Sequence, residues 1–114
     1  MPEIKIIRSE TTKIENVNWD KLGFGVYFSD HMFISEYKDG AWDAGEIRPY
    51  GPIPTEPSMC TLHYGQSIFE GLKAFKAVDG GYNIFRPDRN AKRLNHSVQE
   101  YVFHLMMNHI LSKH

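Results

Sequence analysis

The sequence predicts an α+β fold: an antiparallel sheet with two hairpins, one short helix and a long C-terminal helix. Three observations carry this expectation. Two Asp-Gly steps, Asp39-Gly40 and Asp79-Gly80, each sit between β-prone runs. Both residue types tolerate positive φ, so each step reads as a hairpin turn. The third observation lies beyond Pro87, where Leu94, Val98, Tyr101, Val102, Leu105, Met106, His109 and Ile110 recur at steps of three and four. That spacing draws one apolar stripe along a helix.

The elements follow in order. Ile4, Ile6 and Ile7 suit a short edge strand, and Asn16 to Asp20 read as a loop. Phe24, Val26 and Phe28 alternate with Gly25, Tyr27 and Ser29, the period-two pattern of a half-buried strand. Met32 to Tyr37 forms the next β-prone run, and its return strand is expected over Ala41 to Ile47. Prolines 49, 52, 54 and 57 make Pro49 to Ser58 an extended loop, since each removes a donor and restricts its predecessor. Tyr64 to Gly71 reads as a short helix closed by glycine. Leu72 to Val78 and Tyr82 to Arg86 flank the second hairpin turn.

Composition excludes several function classes. The 114 residues suffice for one domain, with 41% apolar and 24% charged content. Thirteen basic and fourteen acidic residues leave a net charge of -1, which argues against nucleic acid as a partner. The single cysteine, Cys60, precludes an internal disulfide. No apolar run suits a signal peptide or a membrane span, so the expected location is the cytoplasm. The six histidines include no pair three or four apart, so no helical metal site is expected. Neither a G-x-G-x-x-G nor a P-loop pattern is present.

Two constellations remain. Arg86, Arg89, Lys92 and Arg93 straddle the start of the long helix, where free N–H groups and the helix dipole suit an anion. The bland alternative is a set of solvated surface charges. The aromatics of Tyr64-Gly65-Gln66-Ser67-Ile68-Phe69 suit either packing or an apolar pocket.

A broader pattern bears on both. Thr61-Leu62-His63-Tyr64-Gly65-Gln66-Ser67-Ile68-Phe69-Glu70-Gly71-Leu72-Lys73-Ala74-Phe75 is followed by Ile84-Phe85-Arg86-Pro87 and Asn90-Ala91-Lys92-Arg93-Leu94. With Phe28-Ser29-Asp30-His31-Met32, this resembles the N-terminal domain of branched-chain amino-acid aminotransferases. These enzymes use pyridoxal 5'-phosphate (PLP) on the fold-type IV scaffold. The resemblance runs from about Phe24 to Ser97, and several motifs in the same order are far more specific than one.

The resemblance implies an enzyme moving an amino group between leucine, isoleucine or valine and 2-oxoglutarate. It makes Arg93 the cofactor-binding residue, gripping the PLP phosphate, with Arg86, Arg89 and Lys92 left as surface charges. It places Phe28 and Phe69 in an apolar substrate pocket and sends Tyr64 towards a neighbouring subunit's site, which implies a homodimer. Three segments follow: an N-terminal segment 1–22, the aminotransferase small domain 23–97, and a divergent helical tail 98–114. The family's Schiff-base lysine lies in a second domain, and lysines 5, 13, 21, 38, 73, 76, 92 and 113 do not stand in its context. The expectation is therefore a truncated chain, with no catalytic residue of its own and inactive alone. The alternative is a non-catalytic stand-alone domain that self-associates or binds a full-length relative.

Overall fold

A computed structural model of the chain describes residues 3–111, and the side chains of residues 3–101. The chain divides into two units, Met1–Pro54 and Thr55–His114, and the division falls in the proline-rich loop. Among the described residues the content is mixed α+β, with several small sheets and two α-helices.

In the first unit, strands β1 (Lys5–Ile6), β2 (His31–Ile34) and β5 (Glu46–Pro49) form a three-stranded sheet in the order β1-β5-β2. The β2–β5 pair is antiparallel, with Phe33 opposite Ile47, while β1 lies parallel to β5 at the other edge. The sheet is thus mixed, where an all-antiparallel one was expected. The second sheet continues the same hairpin as β3 (Tyr37–Lys38) and β4 (Ala41–Trp42). Asp39 and Gly40 turn the chain with φ of 54° and 83°, as a two-residue turn between twisted strands requires. Tyr37 and Trp42 face each other across it with ring centroids 5.2 Å apart.

Between the two ladders, Ser35 and Glu36 on one side oppose Asp43, Ala44 and Gly45 on the other. This extra residue is a β-bulge, and the Asp43 carboxylate fills it. Asp43 Oδ1 accepts from Ser35 Oγ at 2.8 Å and from the Glu36 and Gly45 amides at 3.0 Å each. These bonds, the serine's first, hold the Asp43 carboxyl below the usual range.

The predicted strand over Phe24 to Phe28 does not form. Gly23 and Gly25 adopt φ of 64° and 69°, which curls the backbone out of an extended path. The preceding segment is tied down instead by Asp30. Its carboxylate accepts from Thr12 Oγ1 at 2.7 Å and from the Lys13 amide at 2.8 Å.

In the second unit, helix α1 spans Cys60–Tyr64, earlier than the Tyr64 to Gly71 helix expected. Gly65, at φ 60°, closes it in the left-handed conformation, so the nearer glycine is the terminator. Residues 65–73 are irregular and lead into the hairpin of β6 (Ala74–Lys76) and β7 (Tyr82–Ile84). The Gly80 amide donates to Ala77 at 3.1 Å and the Ala77 amide to Gly81 at 2.8 Å, a turn-plus-bulge closure with Gly80 left-handed.

Helix α2 (Pro87–Leu111) begins on a proline, whose missing donor is harmless at a first helical position. Asn90, Leu94, Ser97 and Tyr101 are half-buried on one face, at steps of three and four. The predicted stripe continues through Val102, Leu105, Met106, His109 and Ile110, whose side chains lie outside the described residues. Among the described residues no side chain is buried, and no helix is long and apolar enough to cross a membrane.

Candidate functional site

The second unit builds its best-defined polar cluster where the irregular segment meets α2. Glu70 sits just before Gly71, and only 11% of its side chain is exposed. Twenty-three residues later, Arg93 donates from Nε to Glu70 Oε2 at 2.7 Å and from Nη2 to Oε1. Asn90, one turn before Arg93 on α2, donates through Nδ2 to Glu70 Oε1 at 3.0 Å and to the Gly71 carbonyl at 2.9 Å. The Gly71 amide donates to Glu70 Oε1 at 3.0 Å.

The electrostatics follow from this geometry. The Arg93 hydrogen bonds, then that of Asn90, hold the Glu70 carboxyl down at about 2 against partial desolvation, so it is ionised at neutral pH. Glu70 in turn raises Arg93 above its ordinary value. A bidentate carboxylate–guanidinium pair is among the more directional contacts available to a side chain.

Among the described residues, Arg93 is engaged along one edge only. A guanidinium carries five N–H donors. Two of them serve Glu70, which leaves three directed elsewhere on a side chain that is 65% exposed. An anion such as a phosphate monoester fits this free edge, because the planar fork matches two phosphate oxygens.

The start of α2, by contrast, does not offer the open anion site that the helix dipole suggested. Asp88 already occupies it. Its two carboxylate oxygens receive Nε and Nη2 of Arg86 at 2.8 Å each. The Arg86 bonds, followed by the Arg89 amide, keep the Asp88 carboxyl below its usual range. Arg86 is thereby spent on a neighbouring acid, while Arg89 and Lys92 are exposed.

The three aromatic candidates are distributed over both units. Phe28 belongs to the first, half exposed and stacked on Tyr50 with centroids 5.1 Å apart. It lines a cavity of about 410 Å³ with Ile14, Val17, Trp19, Leu22 and Tyr27. Tyr64 and Phe69 belong to the second unit and are 81% and 91% exposed. Tyr64 ends α1 while Phe69 lies in the irregular segment, so no common helix relates their directions, contrary to the expected single helix.

Sequence reading assigned no role to Glu70 or Asn90. A signal was present: an acid flanked by glycine, and an amide and a guanidinium three residues apart on one helix face. What local spacing does not encode is that the two segments meet. Among the described residues, no cluster of three or more His, Cys, Asp or Glu is arranged for a metal ion. The seven described lysines are all exposed.

The chain is 46% identical over 98 residues to branched-chain-amino-acid transaminase 1 of Bacillus subtilis, covering 83% of this chain and 28% of the relative. It is 49% identical over 96 residues to a probable branched-chain-amino-acid aminotransferase of Staphylococcus aureus, covering 26% of that protein. It is 50% identical over 78 residues to the branched-chain-amino-acid aminotransferase of Mycolicibacterium smegmatis, covering 21% of it. The chain therefore spans about a quarter of the length of these curated relatives. No protein-family model matches it.

Proposed function

The chain belongs with the branched-chain-amino-acid aminotransferases by sequence, and from that premise we propose that it forms part of a PLP-dependent amino-transfer site. The reaction is amino transfer between leucine, isoleucine or valine and 2-oxoglutarate. The observation that carries the reading is kinship: 46–50% identity to three transaminases, over 83% of this chain in two of them. The fold implied is the small domain of a fold-type IV enzyme, working as a homodimer.

When bound, PLP supplies the electron sink that makes the substrate Cα proton removable. This chain's residues would bind and orient. Arg93 would hold the phosphate through the edge that Glu70 leaves open. Phe28 and Phe69 supply apolar surface for a branched aliphatic side chain, where selectivity rests on shape and buried methylenes. Tyr64, at the exposed end of α1, serves a neighbouring subunit's site. We assign the proton-moving amine to none of the seven described lysines, which are all exposed. The chain alone is thus expected to be inactive.

The test compares Arg93 with its basic neighbours. PLP is titrated into the chain, and into its complex with a supplied lysine-bearing domain, in Arg93→Ala, Arg89→Ala and Lys92→Ala forms. Loss of one charge-assisted contact should weaken binding about ten- to a hundredfold for Arg93→Ala. The other two should stay within about twofold of the parent. Equal affinity of Arg93→Ala and parent would show that Arg93 does not hold the phosphate.

A further inference from the structure

The Glu70–Arg93–Asn90 cluster does more than join a loop to a helix. An exposed arginine has four rotatable side-chain torsions, and fixing them costs rotamer entropy. In this chain the cost is met before any ligand arrives. Glu70 takes Nε and Nη2, the lateral edge of the guanidinium. The acid is itself fixed by the Asn90 amide and by the amide of Gly71. Asn90 and Arg93 leave α2 one turn apart, so a single carboxylate determines where the guanidinium plane lies.

We propose that Glu70, buttressed by Asn90, is the positioning residue of the phosphate clamp: it holds Arg93 laterally so that the terminal edge is presented to a phosphate monoester. The inference rests on the reading of Arg93 as the phosphate ligand, and it adds two residues to that site. Two features favour positioning over competition between Glu70 and the ligand. The carboxylate occupies one edge of the fork while three N–H groups remain free. Glu70 is also largely enclosed while Arg93 is mostly exposed, so the acid stands behind the base and away from solvent. The pair's lateral geometry gives it a further signature. The Arg93 Nε proton, held by Glu70, should exchange slowly with water and resonate apart from those of the other arginines.

The experiment uses pyridoxamine 5'-phosphate as probe and pyridoxamine as control, since neither carries an aldehyde that reacts with lysines. Affinities are measured for the full chain, Arg93→Ala, Glu70→Gln, Asn90→Ala and the double variant Glu70→Gln/Arg93→Ala. Amide signals of the β6–β7 hairpin report that each variant keeps its fold. Glu70→Gln keeps the shape but puts an N–H donor against the guanidinium, so it should weaken phosphate binding about tenfold, one lost ordering contact. It should also abolish the protected Nε signal. Asn90→Ala, the milder variant, should weaken binding about two- to threefold. In the double variant Glu70→Gln should add nothing to Arg93→Ala, because it acts only through that residue.

Several results overturn the proposal. Glu70→Gln binding as tightly as the parent, or more tightly, while Arg93→Ala loses affinity would leave Arg93 as the ligand and discard the positioning role. A loss caused by Glu70→Gln that persists in the Arg93→Ala background would make Glu70 a scaffold residue only. If the parent does not prefer the phosphate ester to pyridoxamine, or Arg93→Ala binds like the parent, the phosphate reading itself fails and the inference with it.

Discussion

Lowering the pH should leave Glu70 ionised well after an ordinary glutamate has taken up its proton. Its carboxyl falls from 4.5 to about 2, with the Arg93 hydrogen bonds as the largest cause and that of Asn90 next. At pH 3 a carboxyl titrating at 4.5 is roughly 3% ionised, whereas one titrating near 2 is about nine-tenths ionised. The sign of the linkage follows. Between the two values the unfolded chain binds more protons than the folded one, so stability rises with pH across that window. The contribution is fully present above about 4.5 and is lost as the pH falls through about 2. Carbon-13 NMR of the glutamate side-chain carboxyls reads the midpoint directly. Arg93→Ala should move it upward, short of the ordinary value because Asn90 and the Gly71 amide remain as donors. A parent midpoint near 4.5, or the same midpoint with and without the Arg93 guanidinium, would refute the pair. Because Arg93 is 65% exposed, added salt should also raise the midpoint.

Three further outcomes are expected. Gly40→Ala meets only open space and should cost the left-handed backbone term of about 1–2 kcal/mol. Gly45→Ala has the same backbone problem, and its Cβ would also lie 2.5 Å from the Phe33 ring and 3.0 Å from the Ile34 carbonyl oxygen, so it should cost more than Gly40→Ala. Urea titration followed at the β2–β5 amides separates the two, and equal costs would disprove the Phe33 contact. With Phe24, Phe69, Val78 and Phe85 all more than four-fifths exposed, the isolated chain should self-associate and bind a hydrophobic dye; sedimentation showing a monodisperse monomer with little dye uptake would contradict this. Incubation with PLP, borohydride reduction and peptide mapping should label the lysines in a scattered, substoichiometric way, and one stoichiometrically labelled lysine among the seven described would overturn this expectation.

The features legible in the sequence are those encoded within a few neighbouring residues. Asp39-Gly40 and Asp79-Gly80 specify their turns because the required φ angles are properties of those residues. Pro87 and the three- and four-residue spacing of Leu94, Val98 and Tyr101 specify α2 for a similarly local reason. The family was legible too, since the ordered motifs around Tyr64, Phe69 and Arg93 are a property of the string. Tertiary structure decided the rest. The alternation of Phe24, Val26 and Phe28 called for a strand, but two left-handed glycines and the lack of a neighbouring ladder prevailed. Gly65 ended α1 before Ile68 and Phe69 could join it. A one-residue mismatch between strands gave the Asp43 carboxylate three donors. Above all, the family resemblance singled out Arg93, whereas its partner Glu70 lies 23 residues away on a segment without regular structure. Only folding brings Glu70 beneath α2, because a hydrogen bond depends on where two atoms meet in space and no local spacing records that meeting.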